Sequence, residues 1–112
     1  MIIVISAQKP DLDGPVDVRF GRAPYYIIVD SENDKWEACD NPAVSQSGGA
    51  GVAAAQFVID RKAGIAISGD FGPNASQALR AAGVKMHTFT ADMSTVRFAL
   101  DLFKQGSLPQ FD

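Results

Sequence analysis

Arg19 and Arg22 bracket the dipeptide Phe20-Gly21, and Ala23-Pro24-Tyr25 follows. Downstream stand Asn41-Pro42, the run Gly48-Gly49-Ala50-Gly51, and Gly69-Asp70-Phe71-Gly72-Pro73-Asn74-Ala75. Guanidinium groups donate several hydrogen bonds in a fixed fork and suit phosphate, sulfate or sulfide-rich anions. Glycines ahead of a helix let bare backbone N–H groups approach such a ligand, and each helix start adds about half a positive charge. The expected chemistry is anion binding by Arg19, Phe20, Gly21, Arg22, Asn41, Gly49, Gly51, Gly69, Phe71, Gly72 and Asn74. Lys9 is a candidate third cation, and the two phenylalanines are expected to limit water.

Catalysis has little to work with. A two-metal nuclease needs clustered carboxylates, one of them on or just after the first strand, where Ser6-Ala7-Gln8 stands instead. Asp11, Asp13, Asp17 and Asp70 leave only a weak carboxylate pair, so a metal-dependent hydrolase is the least favoured reading. His87, the only histidine, falls inside a predicted strand, and Cys39, the only cysteine, has no evident base partner. The soft donors Cys39, Met86, Met93 and His87 are not grouped at ligand spacing. No Walker sequence or dinucleotide fingerprint is present.

Positioning these residues falls to eight elements. Residues 2–6 are a continuous apolar run, the mark of a strand covered on both faces. Residues 7–19 read as a long polar loop, 25–30 and 35–40 as an antiparallel hairpin about a turn at 31–34. A helix is predicted over 51–62, with Val52, Ala55, Val58 and Ile59 inward and Gly64 ending it. A strand at 65–68 leads to a helix opened by Gly72-Pro73, with Ala75, Ala78, Leu79 and Ala82 inward and Gly83 as a left-handed stop. A strand at 84–89 precedes a last helix, capped by Ser94 or Asp92, burying Val96, Leu100 and Phe103, and closed by Gly106.

Right-handed crossovers then give an α/β, three-layer ribonuclease-H-like fold: a mixed five-stranded sheet in order 3-2-1-4-5 with strand two antiparallel. The loops 7–19, 41–50, 69–72 and 90–93 leave one sheet edge, and segment 20–24 reaches it too. Strand one sends the chain one way and strand four lies the other way, which makes a switch-point crevice. All three helices are predicted to start there.

The 112 residues suit one domain, spanning 1–112. A net charge of −3 argues against a nucleic-acid partner. Apolar runs are too short for a membrane span, no signal peptide pattern opens the chain, and a lone cysteine forbids an internal disulfide, so a cytoplasmic protein is expected.

The string Phe20-Gly21-Arg22-Ala23-Pro24-Tyr25, with Asn41-Pro42, the glycine-rich helix start, Gly72-Pro73-Asn74-Ala75, Gly83-Val84-Lys85 and Gly106-Ser107-Leu108, resembles the nitrogenase iron–molybdenum cofactor biosynthesis family. That resemblance implies the same ribonuclease-H-like fold. It also implies a non-enzymatic protein that binds or carries an anionic metal–sulfur cluster, of the iron–molybdenum or another molybdenum–sulfur type, or its precursor. The family includes a relative holding a molybdenum–copper–sulfide cluster non-covalently. A protein partner in cofactor delivery would go with that role. Several cofactor carriers of the family have a histidine just before Phe-Gly, a candidate cluster ligand, where this chain has Arg19. An arginine pairs with anions but does not coordinate metal, which turns the expectation from ligation to anion binding. The alternative from another class is a protein-interaction or regulatory domain with a vestigial pocket.

Overall fold

The computed structural model describes residues 1–44, 48–89 and 95–111. Its elements run β1 (Ile2–Ala7), β2 (Tyr25–Asp30), β3 (Trp36–Asp40), α1 (Ala50–Asp60), β4 (Ile65–Ser68), α2 (Gly72–Ala81), β5 (Lys85–Thr88) and α3 (Val96–Lys104). The sheet order is β3-β2-β1-β4-β5, as the crossover rules require. β2 is antiparallel to both β1 and β3, while β1, β4 and β5 are parallel. No helix is long and apolar enough to cross a membrane, among the described residues.

Side-chain alternation along the strands builds two cores. Val4, Tyr26, Ile28 and Ala66 point to the face covered by α1 and α2. Ile3, Ile5, Ile27, Val29, Ile65 and Ile67 point to the face covered by α3. A period of two is what a pleated strand dictates, and a strand apolar at both parities needs cover on both faces.

The small residues decide how α1 sits. Its buried face is Ala50, Ala54, Ala55 and Val58, while Val52 is 48% exposed and Ile59 only half-buried. The expected inward Val52 is therefore outward. The helix turns its alanine and glycine stripe to α2, so close that a Cβ on Gly51 would lie 3.5 Å from the Ala75 Cβ. Backbone proximity, more than side-chain size, sets that face.

Other boundaries also differ. Lys62 takes the left-handed conformation after α1, at φ 58, whereas Gly64 donates its N–H to the Ile2 carbonyl and packs on Met1. In α2 the buried residues are Ala75, Ser76 and Leu79; Ala82 is exposed, and Ser76 reaches inside because its hydroxyl donates to the Pro73 carbonyl. Gly83 and Gly106 hold left-handed turns at φ 80 and 73, as expected. Asp92 and Ser94 lie outside the described residues. The α3 cap is Thr95, whose Oγ1 accepts from the Phe98 N–H. Phe103 is half-buried and meets His87 edge-on at 5.1 Å.

Residues 7–19 are not an open loop. Ala7 bridges to Val16, and Arg19 bridges to Asp70 in parallel. Segment 16–20 thereby prolongs the sheet beyond the ends of β1 and β4, inside the switch-point crevice. Beneath it, the Ser6 hydroxyl donates to the Asp17 carbonyl and bonds the Ser68 hydroxyl at 2.8 Å.

Candidate functional site

The Phe-Gly-Arg turn is held by Asn41. Its Nδ2 donates to the Gly21 and Ala23 carbonyls at 3.1 and 2.8 Å, and its Oδ1 accepts from the Ala43 N–H at 2.8 Å. The Asn41 N–H donates to the Pro24 carbonyl. Asn41 is 3% exposed, so every one of these bonds replaces water.

The turn then lies against α1. A Cβ added to Gly21 would come within 3.2 Å of the Gly51 Cα, and Gly51 in turn backs on Ala75 of α2. Three segments far apart in the chain therefore meet: Gly21, the first turn of α1 and the first turn of α2. Below them runs a row of rings. Phe111 meets Phe71 at 5.2 Å, Phe71 meets Phe20 at 5.1 Å, Phe20 meets Tyr26 at 5.5 Å, and Tyr26 stacks on Phe57 at 5.5 Å. Phe20 and Phe71 are a buried floor, 1% and 4% exposed. The Tyr26 hydroxyl donates to the Phe20 carbonyl, and burial first, then the charge of Asp17, pushes its pKa up.

The two arginines differ. Arg19 is tied to Asp17: its backbone N–H and Nε reach Oδ1 at 2.8 and 3.1 Å, and Nη2 reaches Oδ2 at 3.0 Å. The Asp17 carboxylate is only 1% exposed as a residue and would be costly to bury unpaired. The hydrogen bond and charge of Asp17 raise the Arg19 pKa, so the guanidinium stays charged but its charge is answered from inside. Arg22 is exposed, with Nη1 donating to the Val44 carbonyl at 3.3 Å.

The three helix starts differ as well. At α3, Gly14 and Leu12 carbonyls accept the N–H groups of Val96 and Arg97, in addition to the Thr95 cap. Asp13 joins the same contact through Arg97 Nε at 2.8 Å. At α2, the Asp70 carboxylate accepts the Gly72 N–H at 3.1 Å, which sets a negative charge on the positive end of that helix. Gly72 stands at φ 74, and Asn74 is exposed in the first turn. At α1, the cap is Gly49 at φ 72; no side chain of the described residues accepts from it, and the first turn has no acidic residue. No atom of the described residues lies within 4 Å of where Cβ atoms on Gly48 and Gly49 would be. Of the three starts, α1 is the one with no added acceptor among the described residues.

Gly69 has a different role from that expected. A Cβ there would lie 2.6 Å from the Val18 Cβ, so the glycine admits the chain's own segment 18–20. A hollow of about 540 Å³ lies on the far flank of α2, lined by Asp70, Gly72, Pro73, Ser76, Arg80 and Phe111.

The sequence matches the family model for the dinitrogenase iron-molybdenum cofactor over residues 1–106. The chain belongs to the dinitrogenase iron-molybdenum cofactor family. Among solved structures, it is similar to the apo form of the orange protein from Desulfovibrio gigas, at 40% identity and a TM-score of 0.92, covering 98% of this chain and 92% of that one. A NifB-like protein from Thermotoga is 33% identical at a TM-score of 0.85, covering 97% and 91%. A dinitrogenase-like protein from Methanocaldococcus jannaschii shares the fold, at 16% identity and a TM-score of 0.72, covering 100% and 95%. No curated protein matches the sequence.

For a member of the dinitrogenase iron-molybdenum cofactor family, the donor set is hard and cationic. No group of three or more His, Cys, Asp or Glu side chains could hold a metal, among the described residues. Burial pushes the half-buried Cys39 thiol up, away from the thiolate that a soft metal prefers. His87 lies far in role as well as sequence: its Nδ1 is 3.1 Å from the Leu108 carbonyl, binding the tail to β5. Among the described residues, N–H groups and guanidinium suit an anion better than the scattered Cys39, Met86 and His87 suit direct ligation of a metal.

Asp17 and Asp70 were among the candidates for a weak metal-binding carboxylate pair. Each instead serves a partner two residues on, Arg19 and Gly72. The Asp-x-Arg and Asp-x-Gly spacings were the available signal, since Asp side chains commonly accept from N–H groups at that offset. Replacing Asn41 with Ala should lower stability by about 2–3 kcal/mol, because buried carbonyls and an N–H lose their partner. Urea unfolding checks it; a change under about 0.5 kcal/mol would mean the turn at 20–24 does not depend on Asn41.

Proposed function

We propose that this protein is a non-enzymatic carrier of an anionic metal–sulfur cluster, or its precursor, as cargo. The reading rests on one observation above others: an α1 start that no side chain of the described residues caps lies beside Gly21 and the Arg22 turn, with no carboxylate in its first turn. Backbone N–H groups of the first α1 turn take the anion's outer atoms, and Arg22 brings a second guanidinium to the turn. Arg19 contributes a hydrogen-bonding edge whose charge is already balanced by Asp17. The ring floor under Phe20 and Phe71 keeps the turn fixed, so little ordering is needed on binding. Asn41 holds the turn, Gly49 and Gly51 give the first α1 turn its bare backbone, and Phe71, Gly72 and Asn74 stand at the neighbouring start of α2, whereas Gly69 serves the packing of segment 18–20. The cluster keeps its own metal–sulfide bonds, and the protein supplies charge and position.

Family membership and the likeness to the orange protein and the NifB-like protein support cofactor-related cargo. A large soft anion suits an open, shallow cradle of N–H groups better than a compact phosphate, which prefers a closed nest of short hydrogen bonds. Titration with tetrathiomolybdate, followed by its visible absorption, should give saturable one-to-one binding, and inorganic phosphate should compete weakly. Absence of tetrathiomolybdate binding, together with a stable metal-free protein complex from the native host, would favour the interaction-domain reading instead.

A further inference from the structure

The two edges of the sheet are treated differently. Along β5, the Thr88 N–H donates to the Pro109 carbonyl, the Phe111 N–H donates to the Met86 carbonyl, and His87 bridges to Gln110. The chain's own tail thus covers that edge. β3 has no such cover among the described residues. The Asn41 N–H bonds the Pro24 carbonyl and the Asp30 N–H bonds the Lys35 carbonyl, so odd-numbered residues of β3 face β2. By the alternation of an antiparallel ladder, the N–H and C=O groups of Trp36, Ala38 and Asp40 point outward. Proteins usually blunt such an edge with lysine, proline or a bulge inside the strand. Trp36–Asp40 contains no lysine, proline or bulge, and its two charged side chains, Glu37 and Asp40, are both acidic, which deters an acidic strand but not a basic one.

Charge says what fits there. Residues 30–40 carry five carboxylates (Asp30, Glu32, Asp34, Glu37, Asp40) and one lysine, a net −4 against −3 for the whole chain. The acidity of the protein is concentrated on this hairpin, and the remainder is net positive by one charge. Of the five, Asp34 is paired with Lys104 at 3.2 Å and Asp30 is near the N-terminal ammonium at 4.0 Å. Glu37 and Asp40 are exposed on the strand itself. Beside the strand is a hollow of about 220 Å³ lined by the apolar Ile2, Ile28 and Trp36 and by Asp30, Glu37 and Lys35, two carboxylates to one ammonium. Trp36 is 43% exposed over it.

We infer that β3 is a docking strand for an extended, basic segment of a partner protein, added as a sixth strand. Backbone groups of Trp36, Ala38 and Asp40 pair with it, Glu37 and Asp40 meet its lysines or arginines, and an aliphatic side chain enters the hollow beside Trp36. A second copy of this chain is disfavoured, since its own β3 would bring the same carboxylates to the contact. β3 ends next to Asn41, so a docked segment finishes beside the turn at 20–24. The inference does not depend on cargo binding.

The test uses a short capped peptide of lysine and valine, its glutamate-for-lysine counterpart, and an analogue N-methylated at alternate residues. Amide NMR of the full chain follows each titration. The lysine peptide should shift the Trp36, Ala38 and Asp40 amides, and the glutamate and N-methylated peptides should bind at least about tenfold more weakly, a loss of about 1.4 kcal/mol. Ala38→Pro removes one outward N–H and no ladder bond, and should weaken the lysine peptide by a similar factor; Glu37→Lys with Asp40→Lys should do the same. Equal binding of the N-methylated peptide would reduce the effect to charge attraction and overturn the inference. So would equal binding of the glutamate peptide, shifts confined to other elements, or β3 shifts that follow protein concentration alone and reveal self-pairing.

Discussion

Gly69→Ala should lower the stability of this protein by about 3 kcal/mol, more than any other single methyl group added to the chain's glycines. The added Cβ would lie 2.8 Å from the Val18 Cα and 2.6 Å from its Cβ. A rotamer change cannot relieve contact with a backbone atom, so the segment 18–20 must move. That movement stretches two bonds, Asp70 N–H to the Val18 carbonyl at 2.7 Å and Phe20 N–H to the Asp70 carbonyl at 3.1 Å. Phe20 would then leave its contacts with Tyr26 and Phe71. At roughly 5 °C per kcal/mol for a domain of this size, the melting temperature should fall by about 15 °C. Gly48→Ala is the control, since no atom of the described residues lies within 4 Å of its added Cβ and its effect should stay within about 0.5 kcal/mol. Equal melting temperatures for the two variants would show that segment 16–20 is not wedged at the end of β4.

Replacing Arg19 and Arg22 together with Ala should weaken tetrathiomolybdate binding by about 30-fold, near 2 kcal/mol for the loss of charge-assisted hydrogen bonds. Single-arginine variants divide that loss, and the opposing charge of Asp17 limits the share that Arg19 can contribute. Asp17→Asn separates the two contributions. It keeps an acceptor for the Arg19 N–H but removes the opposing charge, so the affinity should rise while stability falls. A double-arginine variant that binds as the parent does would place the anion elsewhere, and an Asp17→Asn variant that binds more weakly would contradict the charge balance described for this turn. Salt should weaken the parent more than the double variant, because exposed charges are screened.

The sheet was legible because its inner strands are short continuous apolar runs bounded by turn residues and its crossovers have one hand. Ile2–Ala7 and Ile65–Ser68 admitted few other readings. The meeting of the Phe20-Gly21-Arg22 turn with the starts of α1 and α2 followed from topology, and the Gly21–Gly51–Ala75 contacts are its expression. The inward face of α1 was harder, because an alanine-rich helix carries little amphipathic signal and Val52 weighs heavily in any apolar count. Gly69 was read as making room for a ligand, when the neighbour it admits is Val18. Sequence order hides such neighbours: residues 18 and 69 are joined only once the loop after β1 has folded back. The pairing of Arg19 with Asp17 was local and visible in spacing, yet it became decisive only with the burial of Asp17. The difference between the three helix starts rests on Asp70, Thr95, Leu12 and Gly14, and no periodicity encodes it.

Amide NMR of the labelled protein during a tetrathiomolybdate titration tests the anion cradle most directly. The largest shifts should fall on the backbone N–H groups of Gly49, Ala50 and Gly51, with Gly21 and Arg22 next, and with the same saturation point as the visible absorption. Shifts centred instead on Ser76, Arg80 and Phe111, with α1 unmoved, would put the anion on the far flank of α2 and contradict the account.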